Sequence, residues 1–186
     1  MKRLLILIFS MFVCSSAFAS KDIESLYNNA EKPDIKLMHN LDPYQNEDYF
    51  NYAYSPYPLF RLSTTLYFKD SAIPPGYYLL AARNIKDKDY VFFKEAGKVK
   101  FIIPVIETDT VLEDFYKRKM PVPELTKGQK FKNKVENGWH KVFKGGKKQP
   151  PPTSYIEGHL LDGNFYELIF YYGNKKYTMY FRTTGF

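Results

Sequence analysis

Short strand-like stretches of hydrophobic residues, one of them in clear two-residue alternation, make up most of the chain after residue 60, and the segments that depart from this pattern mark its other parts. The first departure is at the start. Lys2 and Arg3 lead into the apolar run Leu4-Leu5-Ile6-Leu7-Ile8-Phe9, and the segment ends in Ala17-Phe18-Ala19. A basic start, a short apolar stretch and small residues at −3 and −1 predict a secretory signal peptide removed after Ala19. The run is shorter than the roughly 20 residues a membrane-spanning helix needs. Cys14 is a poor candidate for lipidation, because Val13 rather than a small residue precedes it.

Ile23, Leu26, Tyr27 and Ala30 then fall at i, i+3, i+4 and i+7, which predicts a short helix beginning near Ser20 and stopped before Pro33. Residues 40–59 are rich in Asn, Asp, Pro and Tyr, a loop composition with enough aromatic surface to pack on a domain. Strand patterns follow over residues 60–68, 77–85, 90–93 and 98–105. In the last, Val99, Phe101, Ile103 and Val105 point one way and Lys98 and Lys100 the other. Pro104 has no backbone donor and marks that strand as an edge or bulge. Three more strands are expected at 154–161, 164–172 and 175–182, joined by turns at Asp162-Gly163 and Gly173-Asn174.

Between the fourth and fifth strands the period changes to helical. Thr110-Val111-Leu112-Glu113 fits a capping box for a helix ending near Met120, and Thr126-Lys127-Gly128-Gln129 repeats it for a second helix running to Lys144. The predicted architecture is mainly β (a β-rich α+β domain), a small antiparallel barrel or sandwich of about seven strands with a helical insertion. Its parts are a signal peptide (1–19), an N-terminal helix and Tyr/Asn/Pro-rich packing segment (20–59), and a β domain (60–186). Within the last lie the insertion (110–145) and a Pro-rich connector (147–152).

Composition sharpens this picture in three ways. The chain has 17 Tyr and 16 Phe, residues that favour pleated surfaces. Its single cysteine, Cys14, lies in the predicted leader, so the exported domain is expected to have no disulfide, thiol chemistry or cysteine-ligated zinc. Charge is uneven: residues 20–59 carry three basic and seven acidic side chains, residues 117–148 eleven basic and two acidic. That asymmetry predicts either an intramolecular match or an anionic partner.

The candidate contact surface is the second predicted helix. Phe131, Val135, Trp139, Val142 and Phe143 share one arc, and Lys127, Lys130, Lys134, Lys141 and Lys144 cluster on another flank. Such a helix suits an anionic membrane surface or a cell-wall polymer, although a helix packed on a sheet has the same pattern. Export argues against nucleic acid as its target. Tyr49, Tyr52, Tyr54 and Tyr57, with Tyr44 and neighbouring amides, offer stacking surfaces for a ligand groove, or a lid over a core edge. No catalytic, cofactor or metal motif accompanies His39, His140 and His159. Glu107, Asp109, Glu113 and Asp114 form the one local acidic group that a small envelope hydrolase would use, though the start of a helix attracts acids for dipole reasons as well. The sequence therefore reads as an exported periplasmic or extracellular, non-enzymatic binding or accessory domain of a bacterial envelope, without cofactor and without a transmembrane segment in its mature form.

Overall fold

The computed structural model describes residues 22–112, 114–120 and 148–185. Over them the protein is mainly β, with two antiparallel sheets that do not close into a barrel. After helix α1 (Ile23–Asn29) and a 3-10 turn (Met38–Asn40) comes helix α2 (Gln45–Asn51). Strands β1 (Leu59–Leu62), β2 (Leu66–Phe68), β3 (Ser71–Ile73), β4 (Gly76–Ile85), β5 (Lys88–Glu95), β6 (Lys98–Pro104) and β7 (Glu107–Thr110) precede helix α3 (Phe115–Lys119). Strands β8 (Ser154–Leu161), β9 (Phe165–Tyr172) and β10 (Lys175–Arg182) complete the described chain.

The first sheet has the order β1-β4-β5-β6, and the second β3-β2-β10-β9-β8 with β7 also paired to β10. One aromatic core takes side chains from both. Phe60, Phe93, Phe181, Phe68, Tyr27 and Phe165 form an edge-to-face chain with centroid separations of 5.6–6.4 Å. Such geometry sets the positive ring edge against a negative ring face. The N-terminal helix is part of this core. Asp22 caps it by accepting from the Ser25 amide, and Tyr27 is buried with its hydroxyl accepting from the Lys69 amide at 2.7 Å.

The four-stranded sheet is covered on both faces. Tyr78, Leu80, Val91 and Phe93 point to the shared core, whereas Ala81, Phe92 and Val99 join Tyr57 in a second buried cluster on the opposite face. A register shift in the β5–β6 pair produces that division: Phe93 lies opposite Phe101, but Lys94 lies opposite Val99, with Lys100 as the extra residue. A bulge inverts the side-chain parity of one strand relative to its neighbour. Val99 therefore leaves the face shared by Phe101, Ile103 and Val105, which corrects the expectation of a single row.

Other expectations also change. Residues 60–68 are not one strand: the chain bends near Thr64, and β1 and β2 belong to different sheets. Ten strands rather than seven occur among the described residues. Thr110 ends β7 instead of capping a helix, because residues 107–110 pair with Thr178 to Lys175 of β10. The Asp162-Gly163 turn is a three-residue loop closed by Leu161 and Phe165, with both Gly163 and Asn164 at positive φ. Two expectations hold: β6, with Pro104, is an edge strand, and the pair Tyr172–Lys175 closes a two-residue turn with Gly173 at positive φ.

Candidate functional site

The outer face of the four-stranded sheet carries two cations. Arg83 of β4 and Lys94 of β5 project there, on the same face as Ala81 and Phe92, and each lies beneath the segment 37–57. A cation buried on a sheet face needs a counter-charge, and the acidic N-terminal segment supplies it. Asp42 accepts from Arg83 through both oxygens, Nε at 3.1 Å and Nη2 at 2.6 Å, and from Lys94 Nζ at 3.1 Å. The same carboxylate also accepts from the Tyr44 amide, just ahead of α2. Asp48, one turn into α2, bonds Arg83 Nη2 and the Tyr57 hydroxyl, the latter at 2.7 Å. The two carboxylates balance the two cations.

Aromatic rings close the cluster. Lys94 Nζ lies 4.0 Å from the Tyr57 ring centroid, and Arg83 packs against Tyr44 and Tyr57. Tyr49 meets Tyr57 edge to face at 5.8 Å. The Lys94 side chain is 1% exposed and that of Asp42 0%, so solvent contributes little to their screening. Burial works against the charged form of Asp42, but the Arg83 fork and then Lys94 outweigh it and hold the carboxyl below its ordinary range. Burial pulls Lys94 below the ordinary lysine value despite its bond to Asp42, and the neighbouring Arg83 charge pulls the same way. Burial and the Asp48 bond raise the Tyr57 hydroxyl, which keeps it a neutral donor.

The tyrosines of the expected groove take distinct places. Tyr57 is buried in the cluster, and Tyr52 lies at the end of α2. Tyr49 and Tyr54 are exposed, beside Tyr44 and Phe50. Thus the ion-paired cluster fixes this segment to the sheet by its inner side and leaves an aromatic outer side. The end of the basic stretch meets it: Lys148 Nζ donates to the Tyr49 carbonyl at 2.6 Å, and the Gln149 backbone bonds both Asn51 and Ala53. Lys127, Lys130, Lys134, Trp139, Lys141 and Lys144 lie outside the described residues, as does Glu113.

The acidic group is dispersed. Asp109 of β7 pairs with Lys176 at 2.9 Å, and Asp114 with Arg118 in the first turn of α3. His159 lies on β8 opposite Glu167, three strands and several residues from Asp109 in register, so the two do not converge. A second aromatic patch lies on the outer face of the other sheet. Phe115 stacks on Tyr171 at 4.2 Å, while Glu157 accepts from Lys119 and the Tyr171 hydroxyl. No cluster of metal-ligating side chains occurs among the described residues.

The ion-paired cluster was not foreseen from sequence, yet a signal for it exists. Leu79-Leu80-Ala81-Ala82 and Val91-Phe92-Phe93 are unbroken apolar runs, which mean burial on both faces of a sheet and hence a covering layer. The chain matches no protein-family model, no curated protein and no solved structure.

Proposed function

We propose that this chain is an exported, non-enzymatic binding domain of the bacterial envelope that contacts an anionic surface, lipid or wall polymer. In this reading the aromatic outer side of segment 38–54 and the basic stretch 117–148 act together. The observation that carries it is the juxtaposition of Lys148, at the end of that stretch, with Tyr49 and its exposed neighbours Tyr44, Phe50 and Tyr54. Rings stack on sugar or acyl surface while lysines meet phosphate or carboxylate groups. The buried ion pairs hold the aromatic surface in one conformation, which lowers the ordering cost of binding. The basic helix over Lys127–Lys144, with Trp139, remains the proposed cationic element. The β framework would then be a sandwich that presents both, with its helical insertion on the contact side.

Tyrosine fluorescence and co-sedimentation with soluble wall fragments, and with vesicles containing phosphatidylglycerol, test the proposal. Binding to one of the two probes is expected, weakening as salt rises, and the probe that binds identifies the source of the anion. Phe50→Ala, at a side chain 77% exposed, should weaken it by about tenfold without loss of fold. Absence of binding to both probes at low salt would overturn the reading.

A further inference from the structure

The sheet edges differ in how they are protected, and one of them has no further strand beside it among the described residues. A free edge strand offers unused backbone donors and acceptors to another chain, and proteins guard such edges with proline, bulges or short strands. In the first sheet, β6 carries Pro104 and the bulge at Lys100, and β1 has four residues. In the second, β3 has three residues. Strand β8 has eight, in unbroken register with β9, and contains neither proline nor lysine. Among the described residues β9 is its one strand partner.

The direction of its free groups follows from one bond. The Gly173 amide donates to the Thr153 carbonyl at 2.8 Å, so the position before β8 turns its backbone groups toward β9. Backbone direction alternates along a strand. Tyr155, Glu157 and His159 therefore bond β9, while Ser154, Ile156, Gly158 and Leu160 direct N–H and C=O to the open edge.

That edge is complementary to itself. About Gly158 the sequence reads Ile156-Glu157-Gly158-His159-Leu160. In an antiparallel pairing with its two-fold axis at Gly158, Ile156 lies beside Leu160 of a second copy, and Glu157 beside its His159. The first pair is apolar on one face, and on the other the second sets His159 beside a Glu157 carboxylate that already accepts from Lys119 and the Tyr171 hydroxyl. Leu160, 76% exposed, gains a cover that it lacks in a single copy. The glycines at the axis leave the backbones free to approach, while Tyr166 fills the space over each from within its own sheet. A C2 interface requires such self-complementarity.

We propose that β8 is a homodimerisation edge, pairing antiparallel with β8 of a second copy about Gly158 to join the two larger sheets into one. The partner is another copy of this chain, and the register is Ile156 to Leu160 and Glu157 to His159.

Sedimentation velocity over a concentration series tests the association, and cysteine cross-linking tests the register. The wild-type chain is expected to form a dimer that dissociates on dilution. Leu160→Lys sets an ammonium against the apolar Ile156 of the second copy, and His159→Glu opposes Glu157 with a second carboxylate. Each should raise the dimer dissociation constant at least tenfold while circular dichroism stays unchanged. In a Cys14→Ser background, a mixture of Glu157→Cys and His159→Cys chains should cross-link under mild oxidation, whereas His159→Cys alone should not. A wild-type chain that is monomeric throughout, a Leu160→Lys dimer as tight as wild type, or cross-linking confined to His159→Cys with itself would each overturn the proposal.

Discussion

The four-stranded sheet buries both faces by opposite means. Its inner face meets the second sheet through rings and aliphatic chains: Phe93 touches Phe60, Tyr78 and Phe181, and among the described residues the buried charged side chains, Asp42 and Lys94, lie on the other face. Its outer face buries Lys94 and Arg83 and is closed by Asp42 and Asp48. An apolar interface is non-directional and gains with area, so it tolerates sliding. An ionic interface is directional and stabilises little beyond an apolar equivalent, but loss of one partner is costly. The outer face therefore determines where the covering segment sits, and the inner face supplies most of the stability. Such a division suits a segment whose outer side must be held in one shape.

Cutting into each face separates these roles. Phe93→Ala deletes a fully buried ring that bridges both sheets, and should cost about 3–5 kcal/mol across the whole domain. Urea denaturation would record it in every probe at once; a loss confined to the 37–57 segment would deny the ring its bridging role. Asp42→Ala leaves Arg83 and Lys94 buried with one remaining carboxylate and should cost about 3 kcal/mol. Here the damage should be local. Amide exchange is expected to quicken over residues 37–57 before it does so in β9 and β10, and equal acceleration throughout would break the contrast.

Acid acts on the same residue with a defined sign. The folded value for Asp42 lies below its ordinary 3.8, so its contribution is fully present above that value and is lost as pH falls through the depressed one. The covering segment should accordingly loosen in acid below about pH 4, and Asp42→Ala should abolish that acid step. An unchanged acid transition in the variant would assign it to other carboxylates.

What the sequence disclosed divides along the same line. The last hairpin was legible because its signal is local: Gly173 supplies the positive φ that its tight turn requires. The outer cluster was not, because its partners are 52 residues apart in the Asp42–Lys94 pair and 41 in Asp42–Arg83. Nothing local couples them. The bulge at Lys100 concealed it further, since counting by twos places Val99 with Phe101 although the strand has changed parity between them. The split at residues 63–65 was hidden for a similar reason: Leu62 and Leu66 are both buried, as one strand would require, but the chain passes from one sheet to the other between them.

The smallest effect expected is the most informative about the outer face. Lys94→Met keeps a long apolar stem beneath Tyr57 and removes the one charge that Asp42 can spare, since the Arg83 fork occupies both of its oxygens. Desolvation of the ammonium, which already pulls Lys94 below the ordinary lysine value, disappears with it. Against this stands the loss of one hydrogen bond and of a cation over the Tyr57 ring. These terms oppose each other and should leave stability within about 1 kcal/mol of wild type. Calorimetry with amide exchange over residues 37–57 measures both quantities. If the variant instead loses as much as Asp42→Ala, then Lys94 and Arg83 share the anchoring equally, and the outer face is a four-membered unit rather than an Arg83–Asp42 fork with a tolerated lysine beside it.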